Sequence, residues 1–110
     1  MIDWDRIDIL RDEVGAEDFD EVVELFLDEV DEAVGDLDTT ADPVALSEKL
    51  HFLKGSALSL GFRSFSEMCQ SGEAAAARKN TAAIDLVALR DCYGQSRHSF
   101  LAELPGKYPG

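Results

Sequence analysis

Residues 42–61 read DPVALSEKLHFLKGSALSLG and carry the strongest helix signal in the chain. Asp42 can cap a helix N-terminus, and Pro43 suits the first helical position because its φ is already helical and no N–H is needed there. Gly61 stands where a glycine can end the helix. The segment therefore predicts a helix that begins at Pro43 and ends near Gly61.

The two sides of this helix differ in polarity. With about 100° per residue, the side opposite His51 is apolar, and Phe52 and Ser56 widen the buried arc on one flank. The core side consists of Leu46, Leu50, Leu53, Ala57 and Leu60. The open side consists of Ser47, Glu48, His51, Lys54, Gly55 and Leu58. His51 is therefore predicted to lie outside the core, near the centre of an exposed strip.

Two amphipathic segments precede this helix. The first runs from Asp3, a candidate cap, to Gly15, which can end a helix. The second covers 17–40 and places acids opposite one apolar stripe. That stripe consists of Phe19, Val22, Val23, Phe26, Val30, Ala33 and Leu37. Both segments are predicted to be helices.

Two further helices are predicted after Gly61. One covers about 63–79 and has an apolar face that consists of Phe65, Met68, Cys69, Gly72 and Ala76. Its small residues, Gly72 and Ala74 to Ala77, would allow close helix approach. The last begins near Asn80 or Thr81, runs to about 103 and is stopped by Pro105. Its apolar face consists of Ile84, Leu86, Leu89, Tyr93, Phe100 and Leu104.

Short connections between helices favour an all-α fold, because sequential helices then pack as antiparallel neighbours. We expect an up-down antiparallel four-helix bundle with the short N-terminal helix as a lid. We also expect one domain over 1–110, with a frayed tail at 103–110. Met1 and the C-terminal tail favour a free-standing protein.

Composition narrows the classes of function. The 110 residues carry a net charge of −13, which repels phosphate backbones and anionic lipid. We therefore expect neither nucleic acid nor a membrane surface as partner. No signal peptide and no membrane-spanning run is recognisable, so we expect a cytoplasmic protein in which the two cysteines, Cys69 and Cys92, stay reduced.

Gly55 is unexpected inside a helix, where glycine costs about 1 kcal/mol relative to alanine. It lies one turn after His51 and leaves the imidazole accessible. An exposed imidazole is mostly neutral near pH 7, and its free ring nitrogen can act as a nucleophile. Lys54, also one turn away, can neutralise an anionic group attached to that ring. These three residues together predict a site for chemistry on His51.

The segment HFLKGSALSLG, residues 51–61, resembles the H-x-x-K-G-x-x-x-x-x-G signature of histidine-containing phosphotransfer domains. The flanking helices fit the whole length of that family's helical bundle. The resemblance implies that His51 takes a phosphoryl group from the aspartate of one receiver domain and passes it to the aspartate of another. It also implies that Lys54 steadies the phosphoryl group and that Gly55 gives the receiver room.

One position departs from the family's pattern. Family members often carry a glutamine on the following helix that hydrogen-bonds the active histidine or its phosphoryl group. The corresponding place here holds Glu73, with Gln70 one turn earlier. A carboxylate would accept from the imidazole N–H but repel a phosphoryl group. The supporting role can therefore belong to Glu73 or to Gln70. Alternatively, both are ordinary solvent-facing residues.

The resemblance also implies the partners. The expected partners are receiver domains and a sensor histidine kinase of the simple or hybrid type, which dock around His51 on a monomer. The candidate contacts are Val44, Ser47, Glu48 and Leu58. The receiver is expected to bring Mg²⁺, so we expect no cofactor and no metal in this protein. No phosphate-binding loop occurs, and a phosphoryl carrier without kinase activity of its own is predicted.

Three alternatives compete with this interpretation. Glu48 and His51 have the E-x-x-H spacing of di-iron bundles, but His98 has Gln95 where a second motif needs glutamate, and His51 points away from the core. A hydrolase is disfavoured because no G-x-S-x-G occurs and both cysteines lie on apolar faces. An acidic helical adaptor without phosphotransfer chemistry is the alternative that stays open.

Overall fold

A computed structural model describes residues 2–38 and 42–108, most of which lie in helices. The elements are α1 (Trp4–Val14), α2 (Phe19–Gly35), α3 (Pro43–Ser59), α4 (Arg63–Ala77), a 3-10 turn (Thr81–Ala83) and α5 (Leu86–Lys107). Within the described ranges, the only β-type pairing is one bridge between Ile2 and Phe62. The prediction of an all-α helical bundle is confirmed. None of the helices in these ranges is both long and apolar enough to span a bilayer.

Helices α3 and α4 form the most extensive helix pair of the bundle. A Cβ added to Gly72 would lie 3.1 Å from Cδ1 of Leu50, so the absent side chain lets the two helices approach closely. The hydroxyl of Ser66 donates to the carbonyl oxygen of Lys54 at 3.4 Å. From Leu50 to Lys54 along α3, the contacting residue of α4 changes from 72 to 66. The two helices are therefore antiparallel.

Helix α5 packs against both α4 and α2. The rings of Phe65 and Tyr93 lie 5.2 Å apart between α4 and α5. The hydroxyl of Tyr93 donates to Asp31 of α2, and Nη2 of Arg90 donates to the carbonyl oxygen of Leu37 at 2.7 Å. Nε of Arg90 also donates to the carbonyl oxygen of Val34, in the last turn of α2, at 3.4 Å. Since Tyr93 contacts residue 31 and Arg90 contacts residue 34, α2 and α5 are antiparallel.

Helix α1 closes the end of the bundle where α3 turns into α4. The backbone N–H of Asp3 donates to the carbonyl oxygen of Gly61 at 2.7 Å, and Arg63 pairs with the Asp3 carboxylate at 3.0 Å. Gly61 has φ +70°, and a Cβ there would lie 2.5 Å from the carbonyl oxygen of Asp3. Only glycine combines this positive φ with room for the Asp3 carbonyl oxygen. Gly61 therefore ends α3 and lets the start of α1 pack against it.

The sequence prediction was wrong about both ends of the last helix. The chain after Asn80 forms the 3-10 turn, and α5 begins at Leu86 because the Asp85 side chain caps it by accepting from the N–H of Ala88 at 3.0 Å. Pro105 lies inside α5 and does not stop it.

The expected fraying of 103–110 is also wrong for the described part, because 103–107 is helical and Tyr108 packs against the bundle. The Tyr108 ring meets Phe19 edge-on at 5.4 Å, and the guanidinium of Arg11 lies 4.6 Å from its centre. The Tyr108 hydroxyl donates to Asp8. These contacts hold the end of α5 on α1 and α2. Residues 109 and 110 lie outside the described residues.

The predicted apolar stripes form the core, with one exception. Every residue predicted on the core side of α3 is buried, as are Phe65, Cys69 and Phe100. Helix α2 buries Phe19, Val23 and Val30 of its predicted stripe together with Leu27 and Val34, whereas Val22, Phe26 and Ala33 are partly buried. The last residues predicted in that segment, 39 and 40, lie outside the described ranges. Phe52, expected on a buried flank, is 45% exposed.

Candidate functional site

His51 lies in the middle of α3 and faces solvent. The helix begins as predicted, since the Asp42 carboxylate accepts from the N–H of Val44 at 3.4 Å. Leu50 and Leu53, on either side of His51 along the chain, are completely buried and fix the rotation of the helix. The side chain of His51 is 70% exposed as a result.

Glu73 of α4 reaches across to the imidazole of His51. Each of its two carboxylate oxygens lies 3.1 Å from Nδ1 of His51. The close packing of Gly72 on Leu50 places the neighbouring Glu73 within this reach. Because Nδ1 is engaged by a carboxylate, the neutral ring carries its proton on Nδ1 and its lone pair on Nε2.

Lys54 pairs with the same carboxylate. Its Nζ lies 3.3 Å from Oε1 of Glu73, and the side chain is 24% exposed, not largely exposed as the helical wheel indicated. The hydrogen bond from His51 is the largest effect and lowers the pKa of Glu73; partial burial opposes it, and the hydrogen bond from Lys54 lowers the pKa further. The Glu73 carboxylate is therefore charged at neutral pH, and it joins the two predicted functional residues.

Gly55 leaves open space beside His51. A Cβ added there would meet no atom within 4 Å, so no packing contact requires a glycine at this position. This differs from Gly72, where a Cβ would press on the core. The absence of a side chain at Gly55 bares the surface next to the imidazole.

Exposed apolar residues surround the histidine on the same side of α3. Val44 and Leu58, seven residues before and after His51, are 61% and 54% exposed. With a rise of about 1.5 Å per residue, each lies about 10 Å from His51 along the axis. We call Val44, Glu48, His51, Gly55 and Leu58 the His51 face. Phe52 extends it on one side, and Ser47, which is half-buried, borders it.

Of the two residues considered for the supporting role, only Glu73 contacts the histidine. Gln70 is exposed, and its side chain has no hydrogen bond to another residue in the described part of the chain. Sequence spacing could not separate the two, because both lie on α4 one turn apart. The position of α4 relative to α3, which depends on Gly72, selects Glu73.

The arrangement can perform nucleophilic chemistry on an anionic group. It combines an exposed imidazole with a free Nε2, a carboxylate behind the ring, a lysine one turn away and an open apolar surface. The family model of the Hpt domain matches residues 21–99, well over half of the chain. The chain belongs to the Hpt domain family. The resemblance found in the sequence is thereby confirmed.

The match to the Hpt domain covers most of α2, all of α3 and α4 and most of α5, and all residues of the candidate site fall inside it. Helix α1 precedes the matched region. Hpt domains serve in histidine phosphotransfer in phosphorelays, where they interact with receiver domains and kinases. No curated protein and no solved structure matches the chain.

The remaining candidate residues of this Hpt domain lie apart from the site. His98 is exposed on α5 and has no hydrogen bond to another described residue. Cys69 is completely buried, and burial raises the pKa of its thiol to about 12, so it is not a nucleophile at neutral pH. In the described ranges, no group of three or more histidine, cysteine or acidic residues could hold a metal ion.

Proposed function

We propose that this Hpt domain carries a phosphoryl group on Nε2 of His51 between the aspartates of receiver domains. The observation that carries the proposal is the contact of Glu73 with Nδ1 on an imidazole that is 70% exposed. This contact leaves Nε2 as the nitrogen that is both unprotonated and accessible. The register of His51, Lys54 and Gly55 supports the same assignment.

Transfer to the protein begins with attack of the Nε2 lone pair on the phosphorus of an aspartyl phosphate. The bond between phosphorus and the aspartyl oxygen breaks, and the receiver regains its carboxylate. The Nδ1 proton stays on the ring, which becomes a phosphorylated imidazolium stabilised by Glu73. The return reaction uses the aspartate of the second receiver as nucleophile. We expect Mg²⁺ and the acidic pocket to come from the receiver.

Lys54 is the cation that can neutralise the transferred group. It lies one turn from His51, and Glu73 holds its Nζ on the side of the site that faces α4. The phosphoryl group brings negative charge to a chain whose net charge is already −13. A lysine one helical turn from His51 can offset that charge during in-line transfer.

The His51 face is the surface on which we expect receivers to dock. Val44 and Leu58 supply apolar contact at either end, and Gly55 removes the side chain that would keep a partner from the ring. Phe52 enlarges the apolar area. A phosphoryl transfer needs the donor and acceptor atoms within contact distance, so a bare surface around Nε2 is a requirement of the chemistry.

The proposal is tested by mixing the purified protein with phosphorylated receiver domains and following phosphate that is labile to acid. We expect the parent and His98→Gln to become labelled and His51→Gln to stay unlabelled while keeping its helical spectrum. Equal labelling of His51→Gln would overturn the proposal. An adaptor without phosphotransfer chemistry would leave all three proteins unlabelled.

A further inference from the structure

A cation borders the Leu58 end of the His51 face. Arg63 begins α4, and its side chain is 65% exposed. It lines one small cavity with Asp3, Leu58 and Gly61. Leu58 lies about 10 Å from His51 along α3, whereas a typical interface covers about 800 Å² of each partner, a patch of roughly 16 Å radius. A partner centred on His51 therefore reaches Arg63.

An ion pair with Asp3 holds Arg63 in place. Nη2 of Arg63 donates to Oδ2 of Asp3 at 3.0 Å. Asp3 is itself fixed, because its backbone N–H donates to the carbonyl oxygen of Gly61 at 2.7 Å and its Oδ1 accepts from the N–H of Arg6 at 3.3 Å. The guanidinium is therefore anchored beside the turn that joins α3 to α4.

Most N–H groups of the Arg63 side chain are left for another acceptor. A guanidinium has five N–H donors, and within the described ranges only Asp3 accepts a hydrogen bond from this one. Both oxygens of Asp3 are already engaged, and its side chain is 30% exposed. The member of the pair that a partner meets is therefore the cation.

The two ends of the His51 face differ in charge. Glu48 is exposed one turn before His51, toward one end. Lys54, one turn after His51, is 24% exposed and already forms an ion pair. Arg63 borders the opposite end with a more exposed positive charge. Such an asymmetric pattern selects and orients a partner whose own charges are complementary.

We propose that Arg63, held by Asp3, binds an acidic side chain at the edge of the receiver's docking surface and thereby contributes to the choice of receiver. The inference rests on the proposed function and adds a specificity contact away from the reacting groups. A guanidinium binds a carboxylate through charge-assisted hydrogen bonds. Because Asp3 already restricts the side chain, little conformational freedom is lost on docking. Arg63 therefore acts on docking and not on the transfer step.

The test measures the rate of phosphotransfer at increasing concentration of a phosphorylated receiver domain that labels the parent. At low ionic strength, we expect a roughly threefold higher half-saturating concentration for Arg63→Gln, with an unchanged maximal rate. The difference should disappear at high salt, because exposed charges are screened. Arg78→Gln is the matched control, because Arg78 is an exposed arginine directly after α4 and its replacement changes the net charge equally.

Asp3→Asn separates recognition of the receiver from packing of α1. Both Arg63→Gln and Asp3→Asn break the ion pair at the start of α1, but only Asp3→Asn keeps the cation. If Arg63 served only to hold α1, the two variants would transfer alike. We expect the half-saturating concentration of Asp3→Asn to lie closer to that of the parent than to that of Arg63→Gln.

Variants of the receiver identify the bound carboxylate. Its exposed aspartates and glutamates are replaced one at a time by asparagine and glutamine. One replacement should raise the half-saturating concentration with the parent and have no further effect with Arg63→Gln.

Three results would each overturn the inference while leaving the phosphorylation of His51 in place. These are equal half-saturating concentrations for Arg63→Gln and Arg78→Gln, equal effects of Arg63→Gln and Asp3→Asn, and the absence of any receiver acid coupled to Arg63. If no receiver labels the parent, the proposed function itself fails.

Discussion

Both carboxylate oxygens of Glu73 lie 3.1 Å from Nδ1 of His51, across the interface of α4 and α3. This contact orients an imidazole that the helix alone would leave free to rotate in solvent. It also leaves Nε2 for the surface on which we propose that a partner docks. The predictions that follow test the residues around this contact and the packing that maintains it.

Gly55→Ala should stabilise the protein, whereas Gly55→Gln should slow phosphotransfer to and from His51. A Cβ meets no atom at this site, so alanine should raise the free energy of unfolding by roughly 0.5–1 kcal/mol through helix propensity. Glutamine keeps most of that gain but projects over the surface beside His51. A thermal melt and a phosphotransfer time course on Gly55→Gln should show a melting temperature no lower than the parent's and much slower transfer.

Gly72→Ala is the matched control for this glycine argument. Its Cβ would lie 3.1 Å from Cδ1 of Leu50, so the buried leucine has to move and the helix gain is offset. We expect Gly72→Ala to melt below Gly55→Ala. A lower melting temperature of Gly55→Gln with normal transfer would mean that Gly55 serves packing, and the access argument would fail.

Lys54→Ala should slow phosphotransfer and shorten the lifetime of phosphohistidine. The variant should also lose about 0.5–1 kcal/mol of stability, since the ion pair with Glu73 is mostly shielded from solvent. Lys49→Ala is the control, because this lysine lies on the same helix and its Nζ donates to the backbone oxygen of Asp36, away from the site. Transfer rates are measured with a phosphorylated receiver. Equal rates for Lys54→Ala and Lys49→Ala would remove the role assigned to Lys54.

Leu58→Glu should weaken docking without unfolding the protein. Leu58 is exposed on the His51 face, so a charged side chain is tolerated in the free protein but opposes an apolar contact. Val87→Glu provides the comparison, because Val87 is an exposed apolar residue at the start of α5. Transfer rates at increasing receiver concentration should show a higher half-saturating concentration for Leu58→Glu alone. A similar increase for both variants would point to net charge as the cause.

Both tyrosines should resist ionisation in the folded protein. Burial, followed by a hydrogen bond to Asp8, raises the pKa of Tyr108 to about 12, and burial with a bond to Asp31 raises that of Tyr93 further. The unfolded chain ionises near pH 10, so the contribution of these residues to stability is complete below about pH 10 and is lost as pH rises through about 12. An alkaline titration of tyrosine absorbance should show no ionisation step near pH 10.

An absorbance step near pH 10 with intact helical structure would contradict this packing of the end of α5. The phenylalanine variants separate the two sites. Tyr108→Phe removes the hydroxyl that donates to Asp8 and leaves Tyr93 as the tyrosine that can ionise. Tyr93→Phe removes the hydroxyl that donates to Asp31 and leaves Tyr108.

The helices were predictable because each carries its own signals. Asp42 and Pro43 begin α3, and the apolar stripe of that helix fixes which side is buried. These signals are local and depend on spacing along one helix. The same spacing placed His51 on the open side, where it lies.

The differences between the sequence predictions and the structure arise from contacts between helices. The aromatic contacts of Tyr108 with Phe19 and Trp4 accompany a helix that continues past Pro105, and no local signal reports them. Lys54 is shielded because Glu73 of another helix reaches it. Phe52 is exposed although its position on the wheel borders the core. A helical wheel describes one helix and does not give the position of the neighbouring helix, which decides whether a residue at the edge of the apolar side is buried or exposed.

The most direct test of the central claim is the location of the phosphoryl group on the ring of His51. The protein, labelled with ¹⁵N and phosphorylated by a receiver domain, is examined by NMR for coupling between phosphorus and the histidine nitrogens. The account predicts coupling to Nε2 of His51 alone, with a proton retained on Nδ1. Coupling to Nδ1 of His51 or to either nitrogen of His98 would contradict it.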